Sequence, residues 1–108
     1  MGRDYKDPDG PRWVDVADYC NEVGLAHGGS VRISMVMDRP ARSRQYMCVA
    51  VQFWPKHQQG TRCFTAQEVL YWPHSDFKSM PAMLVKLVLT LDFVLTGRRV
   101  AAEAQASF

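Results

Sequence analysis

"SVRISMVMDRPARSRQYMCVAVQFW", residues 30–54, decides the fold. Its first nine residues set Val31, Ile33, Met35 and Met37 in step against Arg32, Ser34 and Val36. That period of two is what a half-buried strand requires. "YMCVAVQFW" repeats it, with Met47, Val49, Val51 and Phe53 on one side and Tyr46, Cys48, Ala50, Gln52 and Trp54 on the other. Between the runs lies "RPARSRQ", where Pro40 excludes a central-strand position. Two alternating runs joined by a short polar segment predict an antiparallel hairpin with Arg39, Arg42 and Arg44 at its tip.

Outward from the hairpin, "DGPRWVDVADYCNEVGL" carries helix punctuation. Asp9 or Gly10 is the expected cap, Pro11 the first helical position, and Gly24 the stop. At about 100° per residue, Trp13, Val16, Ala17, Cys20 and Val23 share one face, while Asp15, Asp18, Asn21 and Glu22 share the other. On the C-terminal side, "PKHQQGT" reads as a loop. "RCFTAQEVLYWP" suggests a third strand from near Thr61 through about Gln67, although Thr65 to Glu68 also fits a capping box that would open a helical turn. "PHSDFKS" is a connecting loop. Ser79 then caps a last helix with Pro81 in its first turn and Gly97 as its stop. The expected order is α-β-β-β-α, an α+β domain over residues 11–97, with residues 1–10 as a loose arm and 98–108 as a tail.

The bulk properties agree. A chain of 108 residues with 47% apolar and 22% charged content suits one folded domain with a single core. Three widely spaced cysteines form no disulfide framework, and the polar first residues resemble no secretory signal, so an intracellular setting, cytoplasmic or nuclear, is expected. The last helix, 17 residues from Pro81 to Gly97 with Lys86 and Asp92 inside, is short and charged for a bilayer span; no membrane is expected.

That helix has one wide apolar face for the sheet, through Met80, Met83, Leu84, Leu87, Val88, Leu91, Val94 and Leu95. A second stripe, Val85, Leu89 and Phe93, lies between polar residues. An apolar stripe with a polar rim asks to be covered. Either the N-terminal helix covers it within the chain, or a second subunit does. A homodimer or larger assembly is expected through Val85, Leu89 and Phe93.

Chemistry-bearing patterns are sparse. No Gly-rich phosphate loop or nucleophile elbow occurs, so no cofactor, small-molecule substrate or catalysis is expected. His57, Cys63 and His74 lack the paired spacings of a structural zinc site. Charge is more telling. Residues 1–30 balance at −3, residues 31–64 at +5 and residues 65–108 at zero, within a net charge of +2. The basic middle segment interleaves with aromatic residues, a combination that suits stacking bases and meeting phosphates. The expected nucleic-acid-binding set is Arg32, Arg39, Arg42, Arg44, Trp54, Lys56 and Arg62, with Ser34, Tyr46, Gln52 and Phe64 beside it, and single-stranded or structured nucleic acid, DNA or RNA, is the favoured partner. The rival expectation is a protein-interaction or structural subunit of the kind a virus or mobile element encodes, using the acidic helix face (Asp15, Asp18, Glu22) and the apolar stripe.

The α-β-β-β-α order is similar to that of double-stranded-RNA-binding domains, but their basic "KKxAK"-type helix start is replaced here by "SMPAMLVK". A sheet followed by a dimerising helix also looks like the single-strand-binding coactivator and Whirly type.

Overall fold

The computed structural model describes residues 10–37, 46–56 and 63–106. Helix α1 (Trp13–Ala26) leads into strand β1 (Gly29–Met37), β2 (Tyr46–Pro55) and β3 (Ala66–Pro73). A 3-10 helix, His74–Ser79, then feeds the long helix α2 (Met80–Ala106). The class is α+β in the order α-β-β-β-α. The three strands form one antiparallel sheet in the order β1-β2-β3, a meander with no crossover.

Register follows from the hairpin reading. Met37 pairs with Met47 and Ser30 with Trp54. Met47, Val49, Val51 and Phe53 point together into a core shared with Val16, Tyr19, Cys20 and Val23 of α1 and Met80, Leu84, Val85, Val88, Leu91 and Leu95 of α2. Val51, Val88 and Leu91 are fully buried. Burying such a side chain contributes about 1.5–3 kcal/mol each. Both helices therefore lie on one face of the sheet, and the molecule is only 21 Å thick along its shortest axis. The helices pack side by side in the same direction. Trp13 meets Phe77 at their N-terminal ends, with ring centroids 5.5 Å apart. At the far end, His27 Nε2–H donates to Asp92 Oδ1 at 2.6 Å.

Several boundaries differ from the expectation, each for a local reason. Helix α1 begins two residues after Pro11, because Asp15 supplies the cap: its carboxylate accepts the Arg12 amide at 2.9 Å. Asp15 is consequently buried rather than on an acidic outer face, and Tyr19 enters the core while Ala17 and much of Trp13 stay outside. Gly24 does not stop α1; it lies inside the helix where α1 presses on β1, and a Cβ there would come 3.0 Å from the Gly29 carbonyl oxygen. The turn is made by Gly28 at φ +72°.

The third strand is Ala66–Pro73; Thr61 and Arg62 of the expected span lie outside the described residues, Cys63 to Thr65 are not strand, and no helical turn forms over "EVLYW". Pairing with β2 decides this, since Ala66, Leu70 and Trp72 continue the helix-facing row begun by Phe53, Val49 and Met47. "HSDFKS" is helical rather than a loop, and the Ser79 hydroxyl donates to the Asp76 carbonyl instead of capping α2. Nor does Gly97 end α2, which continues through residues placed in the tail, to Ala106.

Candidate functional site

Because both helices cover the same side, the even-numbered side chains of β2 face away from the core. Antiparallel pairing brings Ser30, Arg32 and Ser34 of β1 onto that side, and Gln67, Val69 and Tyr71 of β3. Among the described residues nothing lies over this face. It has two ends.

At one end Arg32 stacks on Trp54, its guanidinium carbon 4.5 Å from the ring centroid. Phe64 meets the same indole edge-on at 6.0 Å. The Trp54 Nε1–H donates to Gln52 Oε1 at 3.3 Å, and Gln52 Nε2–H donates to Gln67 Oε1 at 3.3 Å. A polar row thus crosses all three strands and holds the indole in place. Lys56, which is exposed, extends this end, and its amide donates to the Gly28 carbonyl at 3.1 Å.

The other end is aromatic and more open, with Tyr46 exposed and Tyr71 59% exposed. Val69 lies between the ends, also in solvent. Trp54 and Tyr46 are eight residues apart on β2, about 27 Å at strand rise. Among the described strand residues the one carboxylate, Glu68, is opposite Val51 on the helix side. The open face therefore presents rings, amides and cations but no acid.

Of the expected binding set, Arg32, Trp54 and Lys56 come together at one end of this face. Arg39, Arg42, Arg44 and Arg62 lie outside the described residues. From the oligomer set, Val85 is 5% exposed and belongs to the chain's own core. Leu89 and Phe93 remain in solvent, and Phe93 is 81% exposed. Val69 and Tyr71 escaped the sequence reading because the third strand was set too early. The alternation of Gln67, Val69 and Tyr71 against Ala66, Glu68, Leu70 and Trp72 was the signal that would have found them.

A shallow cleft between α1 and β1 is lined by Cys20, Asn21 and Val31 among others. Burial pushes the Cys20 thiol up to about 11, so it is protonated at neutral pH and is no nucleophile there. Among the described residues no three His, Cys, Asp or Glu side chains gather as a metal set. By length and composition α2 could cross a bilayer, but its core-facing row is already taken by the sheet and α1. No protein family, curated protein or solved structure matches the chain.

Proposed function

We propose that the open face of the sheet binds single-stranded nucleic acid, DNA or RNA, with bases stacked on its rings and phosphates met by arginine and lysine. The observation that carries this reading is a sheet surface that, among the described residues, is uncovered and holds Tyr46, Tyr71 and an Arg32–Trp54 stack without a single carboxylate. Base stacking on an aromatic side chain contributes about 1–3 kcal/mol per base and tolerates any sequence. A sheet with two or three exposed rings is a known way to hold about as many bases. The segment that connects β1 to β2 brings three more arginines, Arg39, Arg42 and Arg44, into the chain immediately before Tyr46. A duplex would hide its bases from such rings, which is why the single strand is favoured.

Fluorescence anisotropy with labelled single-stranded DNA, RNA and duplex DNA, at roughly 50 and 200 mM salt, tests the reading. The expected result is preference for single strands, with affinity falling as salt rises. Tyr71→Ala should weaken binding by at least about 5-fold without loss of structure, since its ring is in solvent. Replacing Arg39, Arg42 and Arg44 together by alanine should flatten the salt dependence. Absence of binding at the lower salt, or binding indifferent to Tyr71→Ala, would remove the proposal.

The second reading, a protein-interaction subunit, is favoured by the exposed Phe93 on α2.

A further inference from the structure

We propose that Gln67, aligned by Gln52 and Trp54, selects bases that turn a carbonyl oxygen outward (thymine, uracil and guanine) over adenine. The inference rests on the nucleic-acid reading and deepens it, naming the base class that the Arg32–Trp54 end of the open face prefers.

An amide side chain donates from its nitrogen and accepts at its oxygen, and free in water it turns either way. Here a neighbour sets the turn. The Trp54 indole N–H can only donate, so its bond of 3.3 Å requires the Oε1 of Gln52 on that side. The Gln52 nitrogen is thereby directed across the sheet. Register puts Gln67 there, opposite Gln52 on β3, and Gln52 Nε2–H donates to Gln67 Oε1 at 3.3 Å. The second amide now has its oxygen turned inward as well. It presents its Nε2 to solvent, as a donor. A ring that can only donate thus fixes the hydrogen-bond sense of a side chain on the neighbouring strand.

The other charged groups at this end agree in sense. Arg32, opposite Gln52 on β1, and the exposed Lys56 donate and cannot accept. Gln67 is exposed while Gln52 and Trp54 are half-buried, so Gln67 is the member of the row that a base edge reaches. O4 of thymine or uracil and O6 of guanine accept a hydrogen bond, whereas the amino group in the corresponding place on adenine donates one. Adenine would set N–H against N–H. Gln67 is therefore the residue that reads the base, and Gln52 and Trp54 are positioning residues behind it.

Competition anisotropy on the full chain, with oligo(dT) and oligo(dA) of equal length, tests this. Oligo(dA) stacks on itself and so favours oligo(dT) for any binder; the wild-type affinity ratio is accordingly read against those of variants. The ratio of dT to dA affinity should fall at least about 3-fold in Gln67→Ala, the scale of one hydrogen bond. Trp54→Phe keeps a ring against Arg32 but removes the donor that sets the row, and should lower the ratio similarly. In Gln52→Glu the carboxylate accepts from Trp54 and Gln67 together, so Gln67 turns its Oε1 outward and the ratio should be lowest of all. The added charge weakens both ligands alike and drops out of the ratio. In nuclear magnetic resonance spectra of the wild type, the Gln67 side-chain amide signals should shift with oligo(dT) and stay in place with oligo(dA). Binding with the same ratio in wild type and variants, or Gln67 signals indifferent to oligo(dT), would overturn this inference and leave the nucleic-acid reading standing. Absence of binding to both oligomers would overturn the two together.

Discussion

Gly29 is where the backbones of two strands and a phenylalanine ring leave no room. A Cβ built there would collide with the Trp54 carbonyl oxygen and come within 2.8–2.9 Å of the Phe53 ring. The carbonyl belongs to the β-ladder and cannot swing away, so Gly29→Ala should force the β1–β2 pairing apart at that end. The expected cost is about 1–3 kcal/mol, the range of an overpacked core, read as a lowered denaturation midpoint. Cys20 gives a different kind of test. Its folded pKa of about 11 lies above a thiol's ordinary value of 9.0 because burial disfavours the thiolate. The unfolded state releases that proton first as pH rises. The stability tied to it is therefore fully present below pH 9 and is lost through pH 11. Urea midpoints for wild type and Cys20→Ala should converge or cross over that interval, and a constant gap between them would contradict the assignment. Cys63, which is exposed, should meanwhile react first with an alkylating reagent in the native protein. The His27–Asp92 bond joins residues 65 positions apart, and no spacing rule predicts a contact at that separation.

At the scale of elements, α2 shows most clearly how a local signal yields to packing. Gly97 reads as a helix stop, yet the helix passes through it for nine more residues to Ala106. One anchor there is Arg98, whose guanidinium donates to the Thr65 carbonyl at 2.9 Å at the start of β3. A Cβ at position 97 would meet nothing within 4 Å. Gly97→Ala should therefore stabilise the fold by about 0.5–1 kcal/mol, a thermal midpoint higher by a few degrees. Strong periodicity was readable: the alternation in β1 and β2 and the buried row of α2 are stated by the sequence itself. Boundaries were not. Pro11 and Gly24 looked like helix boundaries, but the Asp15–Arg12 cap starts the helix at Trp13, and Gly24 packs on β1 inside a helix that runs on to Ala26. The third strand was misplaced because Thr65 and Glu68 mimic a capping box, and only the ladder with β2 overrules it. For the candidate site, Arg32 and Trp54 were legible as same-face residues of paired strands. Val69 and Tyr71 were hidden by that one error of register.

Viewed whole, the molecule divides its labour by layer: one side of the sheet is committed to its own core, and the other is left to whatever lies outside. The core, however, is completed only by α2. The apolar row of α1 and the inner face of all three strands meet Leu84, Val88 and Leu91 there. A chain ending at Ser79 should accordingly be digested rapidly by protease, whereas one reaching Ala106 should resist; equal resistance would show that the sheet and α1 hold together by themselves. The order of manufacture then matters. A ribosome makes α1 first and α2 last, adding about 5–20 residues per second. The 27 residues of α2 thus take on the order of 1–5 s to appear. During that interval Val16, Val23, Val49 and Val51 have no lid, and the nascent chain must pass through the stage at which a chaperone, or another unfinished chain, can reach the surface that the finished protein hides.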